Sequence, residues 1–89
     1  MKNVAVIGSG TMGNGIAHIF AQHGFFVTLI DISEDALNKA EATIEKNLGR
    51  QVEKGLITEG IKDLAMANLS TTTFMKEGVR DAELVVEAA

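Results

Sequence analysis

Cysteine, proline, tryptophan and tyrosine are all missing from the 89 residues. Without cysteine there are no disulfides and no thiolate chemistry, and the composition accords with a cytoplasmic setting. Without proline there is no proline-rich linker, and neither an internal repeat nor a low-complexity segment divides the chain. Basic charge is scarce: 8 lysines and arginines stand against 12 aspartates and glutamates, a formal charge of −4. No basic patch of the kind that nucleic acid or an anionic membrane needs is present. Apolar runs are short, and none approaches the roughly 18 residues of a spanning helix. Met1-Lys2 leads directly into an apolar segment, so no cleavable signal is expected. His18 and His23 are five positions apart, which on a helix turns them about 140° from one another, and no metal site is predicted.

What is present is ordered. Val4-Ala5-Val6-Ile7 reads as a short strand buried on both faces, as a central parallel strand must be. Gly8-Ser9-Gly10-Thr11-Met12-Gly13 follows, and then the pattern becomes helical, with Met12, Ile16, Ile19 and Phe20 on one side and Asn14, His18 and Gln22 on the other. In a strand–turn–helix of this kind, Gly8 permits the sharp turn and Gly10 removes a Cβ from the path of a pyrophosphate. Gly13 lets helix and strand approach closely. The helix begins with free N–H groups and a positive dipole end turned toward the phosphates. The expected binding residues of the turn are therefore Gly8, Ser9, Gly10, Thr11, Met12 and Gly13.

A glycine turn alone is a weak signal, and Asp31 strengthens it. It follows a second apolar run, Phe25 to Ile30, and lies 18 positions after Gly13, near the spacing of roughly 20 at which an acid holds the adenosine ribose. A carboxylate there accepts from the ribose hydroxyls and repels a 2′-phosphate, by about 4 kcal/mol per unit charge at roughly 4 Å and an effective dielectric near 20. Ile32, Ser33 and Glu34 supply no cation to offset that, so NAD is expected over NADP.

The first helix is expected over about Thr11 to His23, stopped by Gly24. His18 shares the polar stripe and is read as solvated surface rather than catalytic. Ser33 is a good N-cap, and Leu37, Ala40, Ile44, Leu48 and Val52 carry the second helix to Lys54, where Gly55 ends it. Some twenty residues extend about 30 Å, more than a crossover needs, so part of this helix should project beyond the sheet. Thr58 caps a shorter helix ending near Asn68 that folds back as a helical hairpin. Leu69 to Thr73 reads as a third strand, Phe74 to Val79 as a helical turn, and Leu84 onward as a buried fourth strand.

The fold class expected is α/β: a Rossmann-type doubly wound parallel sheet with strand order 3-2-1-4 and a helical hairpin inserted before strand 3. Residues 1–89 form one NAD-binding domain, short of the six strands of the complete fold and expected to be the opening part of something larger. The reversal between strands 1 and 4 puts the crevice at their carboxyl ends. Glu87, at the end of strand 4, then stands beside the glycine turn, where it can reach the nicotinamide-side ribose.

The residues Val6 to Ala17, with Phe20-Ala21, Gly24, Val27, Leu29 and Asp31, resemble the N-terminal NAD-binding domain of the 3-hydroxyacyl-CoA dehydrogenases. The similarity continues through Val52-Glu53-Lys54-Gly55, Thr71-Thr72 and Asp81 to Ala88, nearly the whole chain, and is greatest toward the bacterial 3-hydroxybutyryl-CoA enzymes. The resemblance implies hydride transfer between NAD and C3 of a 3-hydroxyacyl-CoA, giving the 3-oxoacyl-CoA. It also implies a homo-oligomer assembled through a C-terminal domain outside this chain. In that family a histidine oriented by a glutamate takes the hydroxyl proton. Both lie beyond the equivalent of Ala89, so no catalytic residue is expected within these 89. Lys54 matches a lysine that meets the phosphate portion of CoA, and Asn47 falls where some relatives carry a serine that also touches CoA. Other readings of the same turn are a non-catalytic dinucleotide-binding or redox-sensing module, another 3-hydroxyacid dehydrogenase, or the start of a flavoprotein.

Overall fold

The computed structural model describes residues 2–89. Its elements are β1 (Asn3–Ile7), α1 (Thr11–Gln22), β2 (Phe26–Ile30), α2 (Glu34–Glu53), α3 (Glu59–Asn68), β3 (Leu69–Thr72), α4 (Met75–Val79) and β4 (Leu84–Glu87). The strands form one parallel sheet in the order β3-β2-β1-β4, the order expected from the sequence. β1 pairs with β2 from Asn3↔Phe26 to Ile7↔Ile30, and with β4 from Val4↔Leu84 to Ile7↔Glu87. With a neighbour on each side, Val4, Ala5 and Val6 are buried on both faces.

Side chains alternate across a strand, so Val4 and Val6 of β1 and Val27 and Leu29 of β2 share one face. They meet Ala17 and Ala21 of α1, Leu37, Ala40, Ile44 and Leu48 of α2, and Ala65 of α3 in a single core. The short α4 covers the other face: a Cβ on its Gly78 would lie 2.6 Å from Ile30 Cγ1. The three long helices thus sit on one side and α4 on the other, and the change of side accompanies the jump of the chain from β3 back to β4.

The capping chemistry follows the sequence. Ser33 Oγ accepts from Ala36 N at 3.1 Å, and Thr58 Oγ1 accepts from Ile61 N at 3.2 Å. Gly24 and Gly55, just past α1 and α2, have φ of +90° and +73°. These left-handed conformations are favourable for glycine and costly for other residues.

Two expectations need correction. The buried stripe of α1 is Gly13, Ala17 and Ala21, whereas Met12 is 66% and Ile19 is 60% exposed. Close approach to β1 selects small side chains, and the bulky ones are displaced to the flanks. His18 is half-buried, with Nε2 at 2.9 Å from Gln22 Oε1 and 3.1 Å from Gln51 Oε1, so it ties α1 to α2 instead of facing solvent freely. α2 has 20 residues against strands of 4 or 5, so it outruns the sheet as expected, and Leu37, Ala40, Ile44 and Leu48 stay buried along it because α1 and α3 pack against it. Within these residues β4 pairs with β1 alone, and Leu84 and Val85 are about half exposed.

Candidate functional site

β1 ends by delivering its chain into a turn that only glycine fits. Gly8 has φ +98°, and its N–H donates to Ile30 O at 2.8 Å, joining the turn to the end of β2. A Cβ at Gly8 would lie 2.8 Å from Ala89 N, inside contact distance of backbone. A Cβ at Gly13 would collide with the Gly8 carbonyl, its carbon 2.7 Å away. Gly10 differs from both: a Cβ there would meet nothing within 4 Å. Two glycines are required by the protein's own packing, and the third keeps a surface clear.

The first helical bond of α1 is Asn14 N to Gly10 O at 2.9 Å, which leaves the amides of Thr11, Met12 and Gly13 without an intrahelical acceptor. The N-cap is Gly10, so no side chain satisfies them. The first turn of α1 also carries no acidic residue. Three donors are thus free of the helix, those of the exposed Thr11 and Met12 and of the buried Gly13, and with the positive end of the helix dipole they stand beside the open position at Gly10, an arrangement suited to an anion.

Asp31, immediately after β2, is brought against this turn. Its Oδ2 accepts from Ser9 N at 2.9 Å and from Ser9 Oγ at 2.7 Å, and its Oδ1 accepts from Ser33 N at 3.1 Å. The Ser9 hydroxyl, followed by the Ser33 and Ser9 amides, stabilises the charged form and holds the carboxyl below its ordinary range. Asp31 stands on the rim of two clefts. One, of about 300 Å³, is lined mainly by the apolar side chains of Ile7, Ile30, Ile32 and Met75 together with Thr73 and Ala89. The other, of about 350 Å³, lies between the glycine turn and α2 and is lined by Ser9, Thr11, Asn14, Lys39 and Thr43 among others.

The structure gathers Gly8, Ser9, Gly10, Thr11, Met12, Gly13 and Asp31 at the carboxyl edge of the sheet. Glu87 is exposed and in register with Ile7, at the threshold of the turn. Lys54 and Asn47 lie apart from this group, in the second half of α2: Lys54 is its exposed C-cap and Asn47 is half-buried two turns earlier. Lys39 had not been singled out, although it puts a cation in the cleft that Asp31 borders. Its signal was its place on the cleft-facing side of α2, one position before the buried Ala40, which becomes visible only when α2 is laid against the turn. Among the described residues no group of three or more His, Cys, Asp or Glu side chains could hold a metal ion. Among the described residues no helix is long and apolar enough to cross a membrane.

Comparison with known proteins agrees with this geometry. Residues 3–89 match the family model of the 3-hydroxyacyl-CoA dehydrogenase NAD binding domain. The chain belongs to that family. Within the 3-hydroxyacyl-CoA dehydrogenases it is 45% identical, over its whole length, to a 3-hydroxybutyryl-CoA dehydrogenase of Bradyrhizobium diazoefficiens. It is 42% identical to a 3-hydroxyadipyl-CoA dehydrogenase of Escherichia coli, again over 100% of the chain. The crystal structure of (S)-3-hydroxybutyryl-CoA dehydrogenase from Ralstonia eutropha superimposes with a TM-score of 0.94 at 37% identity, covering 100% of this chain and 31% of that one. The chain spans 30% of the length of the Bradyrhizobium relative and 18% of the Escherichia coli one. As a member of this family it is an NAD-binding domain of dehydrogenase type with a Rossmann-like parallel sheet.

Proposed function

We propose that this domain holds NAD for hydride exchange with C3 of a 3-hydroxyacyl-CoA, with 3-hydroxybutyryl-CoA as the substrate class to test first. The observation that carries the reading is the turn itself. Three unbonded amides and an uncovered Gly10 lie beside Asp31, whose carboxylate is kept charged. The pyrophosphate would lie on the amides of Thr11, Met12 and Gly13, and the adenosine ribose would donate to Asp31. The apolar cleft of Ile7, Ile30, Ile32 and Met75 suits an adenine ring. NAD, when bound, supplies the hydride acceptor. The residues here bind it, orient it and carry no acid or base for the reaction.

Two further elements belong to this reading. Glu87 would accept from the second ribose, and Lys54, with Asn47 two turns before it on α2, would meet the phosphates of CoA, where a flexible ammonium serves as a point charge. The relatives named for acyl-CoA substrates support the substrate class. The reading also includes a homo-oligomer formed through a domain outside these residues. A cytoplasmic setting rests on the cysteine-free composition, and one relative, from rat, is named as mitochondrial. The test is titration with NADH and NADPH by nicotinamide fluorescence, followed by an absorbance assay, with acetoacetyl-CoA and NADH, of the full-length protein including the downstream part that this reading requires for the acid and base. Tight NADH binding with weak NADPH binding and turnover of acetoacetyl-CoA is expected. Binding without turnover of any 3-oxoacyl-CoA would favour a dinucleotide-sensing module instead.

A further inference from the structure

The glycine pattern of the turn leaves its second position open to any small residue, and in this chain that position is Ser9. Its side chain is nearly buried, at 5% exposure, and both its donors point inward. The amide and the hydroxyl each donate to Asp31 Oδ2, at 2.9 and 2.7 Å. Neither is left to meet a phosphate, so Ser9 differs from Thr11, Met12 and Gly13, whose amides are unbonded. A carboxylate has about four acceptor positions. Ser9 fills the two on Oδ2, and Ser33 N takes one on Oδ1 with the Ile32 amide also turned to the carboxylate, so what remains for a ligand is on the Oδ1 side.

We propose that Ser9 is a positioning residue that acts through Asp31: its hydroxyl locks the plane of the carboxylate and so presents one Oδ1 acceptor to the ribose of the nucleotide. The inference rests on the NAD reading above. The χ2 torsion of an aspartate is broad and close to two-fold, so the carboxylate is not oriented by its own rotamer preference. The Ser9 amide holds Oδ2 and the Ser33 amide holds Oδ1 at the longer distance of 3.1 Å, and these two bonds still leave some rotation about the Cβ–Cγ bond. The hydroxyl supplies the third and shortest bond, at 2.7 Å, before the nucleotide arrives, so the ordering cost is not charged to binding.

The experiment is Ser9→Ala and Ser9→Thr, each measured by NADH titration and by carboxyl-resonance titration of Asp31, together with Ser9→Ala in an Asp31→Ala background. Losing a hydrogen bond to a charged group while the amide bond remains should weaken NADH binding roughly 10-fold in Ser9→Ala. Ser9→Thr, which keeps the hydroxyl, should retain most of the affinity. In the alanine variant the Asp31 titration should move up toward the ordinary carboxylate range. On the Asp31→Ala background the same substitution should change affinity less than about 2-fold, because the group it acts through is gone. An equal loss on both backgrounds would make Ser9 a structural part of the turn and overturn the inference, with the NAD reading intact. Unchanged NADH affinity in Ser9→Ala, or an unmoved Asp31 titration, would also overturn it. A parent protein that binds no NADH at all would remove the NAD reading, and the inference with it.

Discussion

Gly10 and Gly13 are three residues apart in one motif, yet the structure assigns them opposite sensitivities, and alanine at each separates the protein's needs from the ligand's. At Gly13 the new Cβ would lie 2.7 Å from the Gly8 carbonyl carbon and closer still to its oxygen. These are backbone atoms and cannot rotate aside, so α1 must lift from β1. Helix propensity favours alanine by about 1 kcal/mol. Overpacking costs about 1–3 kcal/mol, and contact with backbone places this case at or above the upper end. The net loss is about 2 kcal/mol, or a fall in melting temperature of roughly 8–16 °C for a domain of this size. At Gly10 the Cβ would meet nothing within 4 Å, and φ of −66° is comfortable for alanine. Only the N-cap preference is lost there, about 1 kcal/mol or less. A methyl group standing over the free amides should nevertheless displace a pyrophosphate and weaken NADH binding by roughly 10-fold or more. Urea or thermal unfolding of both variants, with NADH titration of Gly10→Ala, checks the pair. A Gly13→Ala protein as stable as the parent, or a Gly10→Ala protein with parental NADH affinity, would refute the division of labour.

Asp31 gives a pH prediction. Its folded-state value lies below the ordinary range, so its contribution to stability is complete above the unfolded value of about 3.9 and disappears as pH falls through the lower folded value. Urea unfolding against pH should show the parent losing its advantage over Asp31→Asn only in that acidic window, and an advantage lost already near pH 6 would contradict the assignment. Lys54→Ala, at the exposed end of α2, should raise KM for an acyl-CoA and leave the Kd for NADH unchanged in a steady-state assay paired with titration. Leu48→Ala removes a fully buried side chain that joins α2 to the core and should cost about 2–5 kcal/mol in urea unfolding. A loss under about 1 kcal/mol would show that α2 is held by its caps and not by the core.

Elements whose cause is local were legible in the amino-acid order alone. Ser33 and Thr58 cap helices because each carries a hydroxyl three positions before an amide that needs an acceptor, and Gly24 and Gly55 end helices because they tolerate positive φ. The strand order followed from the buried run before the glycine turn, the acid after the second strand and the reversal they imply. The face of α1 was misjudged because periodicity gives weight to large apolar residues. The deciding quantity was the distance to β1, which favours Gly13, Ala17 and Ala21.

The chain's chemistry divides in the same way. Residue order by itself determined which residues can turn sharply, which can cap and where a lone acid follows a strand, because these depend on one residue's conformational freedom or on spacings of a few positions. Only the tertiary structure decided that Asp31 is gripped by Ser9 from 22 positions away, that His18 is held between Gln22 and Gln51, and that Lys39 shares a cleft with the turn. These pairings exist because parallel β1 and β2 align their ends and α1 and α2 lie together on one face, a geometry set by burying the whole core at once.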